Sequence, residues 1–204
     1  MKTPSFAANW LLMSKVKAAI FISGRGSNMM ALVEAAKAPD FPAEFVLVVS
    51  NDPNAAGLAW AAAQGIATLA IDHKPYGKDR EAHERVLDAA LRDAGVEFIC
   101  LAGYMRVLTP WLVEAWQGRM INIHPALLPD FKGLHTHERA LEAKVAQHGA
   151  TVHWVTSGVD EGGVIAQAAV PVHAGDTVES LSARVLAEEH RLYPQAVRQI
   201  LAKP

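Results

Sequence analysis

From Val16 to His124, short apolar runs alternate regularly with segments that are apolar on one side only. Val16–Ser23 (VKAAIFIS) is almost continuously apolar, the pattern of a strand buried on both faces of a parallel sheet. Phe45–Ser50, Ala67–Ile71, Phe98–Ala102 and Met120–His124 repeat that pattern. Helical stretches separate them: Met29–Ala36, the alanine-rich Ala55–Gln64 ended by Gly65, Asp79–Ala94 and Pro110–Trp116. Asp79–Ala94 puts Val86, Leu87, Ala90 and Leu91 on one face and is closed by Gly95. Thr109 is the expected cap of the next helix, with Pro110 in its first position. Beyond His124 the rhythm breaks. Pro125–Leu134 reads as a loop, Glu138–Gln147 as a helix terminated by Gly149, and Ala150–Val155 with Val164–Val170 as a hairpin joined by Thr156–Gly163. Val178–Leu201 is a last helix that Pro194 should interrupt or restart. The expected fold is α/β, a single doubly wound, mostly parallel sheet with a mixed C-terminal end.

Composition narrows the class. The chain has 204 residues, 51% hydrophobic and 20% charged, enough for one domain with a full core. We expect that domain over residues 16–204, preceded by an N-terminal extension over residues 1–15 that resembles no strong targeting signal. A net charge of -2 without a basic block argues against a nucleic-acid or lipid surface. No apolar run approaches the roughly 18 residues of a membrane span. Cys100 is the only cysteine, so an internal disulfide and a cysteine-based metal cluster are both excluded. Its place in Phe98–Ala102 suits a buried strand thiol rather than a nucleophile, in a reducing, cytoplasmic setting.

Three stretches carry candidate chemistry. In Met120–Pro129 (MINIHPALLP), Asn122 and His124 share one face at the carboxyl end of a strand. Ligands of open parallel sheets bind there. An amide donor beside an imidazole suits stabilising an oxyanion and moving a proton, although a strand-end histidine can also merely cap a loop. Gly24–Asn28 (GRGSN) lies between a strand and a helix, where backbone N–H groups accept a phosphate. It lacks the Gly-Lys-Ser/Thr of a P-loop, and Met29 stands where a dinucleotide fingerprint has its third glycine. A monophosphate fits better; an ordinary turn capped by Ser27 is the plain alternative. Asp160, in Ser157–Gly163 (SGVDEGG), sits in a glycine-flanked loop that can fold over a neighbour or simply turn a hairpin. His135, His137 and His153 invite a metal reading, but no His-Glu-x-x-His pair or matching carboxylate spacing accompanies them. We therefore expect no metal.

ISGRGSN (22–28), LAGYMR (101–106), INIHPALLP (121–129), GLHTH (133–137), GATVH (149–153) and DEGG (160–163) occur in this order. Together they resemble the folate-dependent formyltransferase family, in its phosphoribosylglycinamide formyltransferase branch, over roughly Val16 to Lys203. The resemblance implies a Rossmann-like formyltransferase fold and transfer of a formyl group from 10-formyltetrahydrofolate, as co-substrate, to glycinamide ribonucleotide in purine synthesis. It implies Asn122, His124 and Asp160 as the catalytic trio, with protonated His124 donating to the formyl oxygen. Gly26, Ser27 and Asn28 would hold the substrate phosphate, and Glu189 would contact the same substrate. Arg80, Met105, Arg106, Val107 and Leu108 would lie along the folate, and Thr156, Ser157, Gly158 and Val159 would hold its pteridine. Leu128-Pro129 would be cis, and the enzyme a monomer or homodimer with small-molecule partners only. Leu186 departs from relatives that carry a polar residue near the substrate glutamate. Two relatives compete: a formyltetrahydrofolate hydrolase, whose added N-terminal domain residues 1–15 are too short to supply, and a methionyl-tRNA formyltransferase, whose C-terminal nucleic-acid domain has no basic counterpart here. A non-catalytic nucleotide-binding module would keep Gly24–Asn28 without needing Asn122, His124 and Asp160 to converge.

Overall fold

The computed structural model describes residues 14–202; of the expected extension, residues 1–13 fall outside them. Seven strands form one sheet in the order β3-β2-β1-β4-β5-β6-β7. They are β1 (Val16–Ile22), β2 (Ala43–Ser50), β3 (Ala67–Ala70), β4 (Phe98–Leu101), β5 (Met120–His124), β6 (Gln147–Trp154) and β7 (Val164–Pro171). β1 to β5 pair in parallel, and β6 joins β5 and β7 antiparallel. The mixed end is the expected hairpin, so the α/β class holds.

The period-two alternation of β1 explains the layering. Ala18, Ile20 and Ile22 face one core, with Met29 and Leu32 of α1 (Ser27–Ala36) and Leu192, Tyr193 and Val197 of α6 (Val178–Leu201). Ala19 and Phe21 face the other, with Leu87 and Leu91 of α3 (Arg80–Asp93) and Leu112 of α4 (Pro110–Ala115). α2 (Ala56–Ala63) and α5 (Thr136–Glu142) complete the helices. From β1 the chain runs outward to β3, then returns to β4 on the other side of β1. A cleft opens at that switch of direction, outside the carboxyl ends of the strands.

Four local expectations are corrected. α1 begins at Ser27, not Met29, and its cap is Gly26 in the left-handed region (φ 69), with no side-chain cap bond. α5 stops at Glu142 rather than Gln147, because Lys144 turns left-handed (φ 52). Gly149 terminates no helix: it lies inside β6, where the Ala168 carbonyl of β7 leaves no room for a side chain. α6 runs through Pro194 unbroken. An interior proline costs about 3 kcal/mol, which burial of Leu181, Val185, Leu192, Tyr193 and Val197 on this helix outweighs. Thr109 does sit at the head of α4, but its N–H and hydroxyl both donate to the Glu84 carboxylate. Leu128-Pro129 is cis.

Candidate active site

β5 stops at His124, just before Pro125, so Asn122 and His124 stand at the mouth of the cleft. Antiparallel pairing with β6 sets His153 opposite Asn122 and Thr151 opposite His124. Directly opposed residues share a face and touch. The Asn122 amide (Nδ2) and His153 Nε2 are 3.1 Å apart, and His153 Nδ1 is 2.9 Å from the Trp154 carbonyl. The Trp154 carbonyl can only accept a hydrogen bond, so His153 carries a hydrogen on Nδ1. Its Nε2 lone pair then accepts from Asn122 and fixes which way the amide faces.

Asp160 closes the group from the loop after β6. Its backbone is in the left-handed region (φ 53), uncommon for an aspartate and frequent where a side chain must be aimed. Asp160 Oδ2 is 3.3 Å from His124 Nδ1 and accepts the Gly133 N–H at 2.9 Å, while Oδ1 lies 3.5 Å from His153 Nε2. On the other side of the ring, His124 Nε2 is 3.0 Å from the Phe131 carbonyl. Each ring nitrogen therefore faces a protein oxygen, and only the imidazolium has a proton for both. Burial opposes that form: it pulls His124 below its ordinary value, against the Phe131 carbonyl and the Asp160 charge, which raise it. For Asp160 burial pushes upward, while the Gly133 N–H and the charge of His124 pull it down, and the lowering prevails. The Asp160 charge favours the charged ring, and desolvation of the buried ring outweighs it.

These groups border a cavity of about 480 Å³. Met105, Arg106, Val107 and Leu108 line it on one side and Thr156, Ser157, Gly158 and Val159 on another. Arg80 is outside the lining; its guanidinium donates to the Val107 carbonyl at 3.1 Å and braces the wall from behind. A second cavity, about 400 Å³, holds Gly26, Ser27, Asn28 and Glu189, and shares Gly103, Met105, Ile123 and Pro125 with the first. Left-handed Gly26 opens α1 here, with the unpaired N–H groups of its first turn available to an anion. Asn28 Nδ2 donates to Glu189 Oε2 at 2.6 Å, while burial raises the Glu189 carboxyl and this bond lowers it less. Asn28 Oδ1 is buried and has no hydrogen-bond partner among the described residues.

Two contributors escaped the sequence reading. The sequence offers His153 as a metal candidate and within GATVH, but its register opposite Asn122 depends on β6, which begins at Gln147 where the local pattern expects helix. Gly57, at the start of α2, donates its N–H to the Gly24 carbonyl at 3.1 Å, and a Cβ there would lie 2.5 Å from Ile22 and 2.9 Å from the Arg25 carbonyl. His135 is exposed near Glu138 and His137 packs on His148. Among the described residues no three His, Cys, Asp or Glu side chains group as a metal site. Burial pushes the Cys100 thiol up to about 12, which keeps it protonated and inert.

Fold and site define an α/β enzyme with two adjoining pockets and a polar trio lining the larger one, suited to group transfer between two small molecules. The formyl transferase family model matches residues 16–197. A phosphoribosylglycinamide formyltransferase of Escherichia coli (strain K12) is 42% identical over 178 residues, 87% of this chain and 84% of that protein. The crystal structure of phosphoribosylglycinamide formyltransferase from Brucella melitensis superposes with a TM-score of 0.88 at 53% identity, covering 94% of this chain and 98% of that one. The trifunctional purine biosynthetic protein adenosine-3 of Gallus gallus is 49% identical over 187 residues, 92% of this chain, which spans only 18% of that longer protein. The chain belongs to the formyl transferase family, and the two relatives of matching length named here, from Escherichia coli and Brucella melitensis, are phosphoribosylglycinamide formyltransferases.

Proposed function

We propose that the protein transfers the formyl group of 10-formyltetrahydrofolate directly to the primary amine of glycinamide ribonucleotide, in the cytoplasm and without a metal. The observation that carries the reading is that Asn122, His124 and Asp160 all line the larger cavity, next to Ile123 and Pro125, which border both cavities. The α1 N-terminus suits the phosphate, since anions are favoured at a helix start. Glu189, held by Asn28, would accept from hydroxyls of the same substrate. The larger cavity would take the folate, with its pteridine along Thr156–Val159 and its remainder along Met105–Leu108.

As the amine attacks, negative charge grows on the formyl oxygen. Asn122 has one amide hydrogen committed to His153 and a second left for that oxygen. The His124 imidazolium, held between the Phe131 carbonyl and Asp160, adds positive charge beside it. A proton then passes from the amine to the leaving folate nitrogen. Holding both substrates in one cleft lowers the entropic part of the barrier. The test is to follow deformylated folate with and without glycinamide ribonucleotide. Turnover that requires the amine supports the reading; equal release without it points to hydrolysis and overturns it.

A further inference from the structure

A single buried hydroxyl stands next to His124 and is used to its full capacity. Thr151, with no solvent exposure, lies opposite His124 on β6 and opposite Gln167 on β7, so the three form one row across the sheet. Its Oγ1 donates to the Ala126 carbonyl at 2.6 Å and accepts the Leu128 N–H at 3.0 Å and Gln167 Nε2 at 2.9 Å. One donor and two lone pairs are all a threonine hydroxyl has. Gln167 Nε2 also donates to the Leu128 carbonyl at 2.8 Å. The loop that leaves His124 is thus fastened at both sides of Leu127. Three residues past Leu128, Phe131 turns its carbonyl onto His124 Nε2, and Gly133 gives its N–H to Asp160. The loop carries half of the contacts that orient the imidazole, and Thr151 is what anchors its near end.

We infer that Thr151 is a positioning residue for the transfer: by pinning the 126–128 segment, with Gln167, it sets the Phe131 carbonyl that holds the His124 ring. The inference rests on the proposed reaction for its kinetic consequence, but not for its structural one. Thr151→Val keeps the shape and leaves the Ala126 carbonyl and Leu128 N–H without their partner. Unpaired buried groups of this kind drive the segment to rearrange. Thr151→Ser keeps the hydroxyl.

The experiment compares wild type, Thr151→Val, Thr151→Ser and Gln167→Leu. Folded Thr151→Val is expected to lose about tenfold or more in kcat with KM for either substrate within about threefold, since the pockets stay while the ring loses its fixed orientation. Thr151→Ser should recover most of the rate, and Gln167→Leu should show a smaller loss in the same direction. Independently of activity, ¹⁵N NMR of the His124 ring should show the Nε2 hydrogen bond weakened in Thr151→Val and retained in Thr151→Ser. A role in stability alone predicts a lower melting temperature with unchanged kcat per folded molecule and unchanged ring signals, and that result overturns the inference. Should wild type fail to transfer formyl groups, the proposed reaction falls while the ring signals still decide the role of Thr151. If Thr151→Val does not fold, the ring signals and kcat of Gln167→Leu carry the test, and wild-type values there contradict it.

Discussion

Asp160 shows how much of this site is settled by competition at one side chain. Its carboxylate raises the tendency of His124 to be charged, while burial of the ring lowers it further than Asp160 restores. Asp160→Asn keeps the shape and removes the charge, so His124 falls still further below its ordinary value and the imidazolium becomes scarcer near neutral pH. We expect a loss in kcat on the order of 10²–10⁴, with folate KM changed little, since the proposed pteridine contacts of Thr156–Val159 do not include the Asp160 carboxylate. Steady-state kinetics on the folded variant check this; a kcat within a few-fold of wild type removes Asp160 from the chemistry. His148 makes a different prediction. It is buried between Phe131 and His137, and neither ring nitrogen makes a full hydrogen bond. Burial, then His137 and His124, push it down to about 4, with the Pro125 carbonyl acting weakly the other way. The folded value is below the unfolded one of about 6.5. The neutral ring therefore supports folding fully above about 6.5, and that support is lost as pH falls toward 4. Urea midpoints should drop between pH 7 and pH 5, and less so in His148→Phe. Equal drops in both proteins would exclude His148 as the source.

At the scale of elements, the site depends on where strands and helices begin. The strand-glycine-helix order at Gly24–Asn28 is legible because it is local: a left-handed glycine leads directly into α1. What composition could not show is that α2 presses on the same turn through Gly57. Adding one methyl there, as in Gly57→Ala, forces Ile22 and the Arg25 carbonyl to move. Overpacking of this kind costs about 1–3 kcal/mol. Expressed at the phosphate turn, it should raise KM for the phosphorylated substrate about tenfold and leave folate KM near wild type. A rise in folate KM alone would show that the strain is relieved elsewhere. The misread helix at 138–147 has the same lesson. Glu138, Ala140, Leu141, Glu142, Ala143 and Lys144 all favour helix locally, but the left-handed Lys144 and the pairing of β6 with β7 end it early. Because β6 starts at Gln147, His153 and Thr151 fall opposite Asn122 and His124, a register that no local pattern announces. Pro194 failed as a helix breaker for a related reason: a long helix buried along the sheet tolerates one missing hydrogen bond.

Over the whole molecule, what was readable was the parallel half. Its apolar runs are short, evenly spaced and punctuated by glycine or proline, and β1 to β5 follow them closely. The trio was visible as residue types, but the approach of Asp160 to His124 depends on an antiparallel hairpin folding back over β5, a long-range fact. The two cavities adjoin through Gly103 and Met105 after β4 and Ile123 and Pro125 at the end of β5, so in the proposed reaction both substrates sit side by side and no covalent acyl-enzyme is needed. The direct test is to mix the protein with formyl-labelled 10-formyltetrahydrofolate, sample it, and then add glycinamide ribonucleotide. Before the addition, the label should stay on the folate, with none on the protein and none released as formate; afterwards it should move to the amine at the rate of turnover. Label accumulating on the protein, or appearing as formate before any amine is present, would contradict direct transfer in a shared cleft.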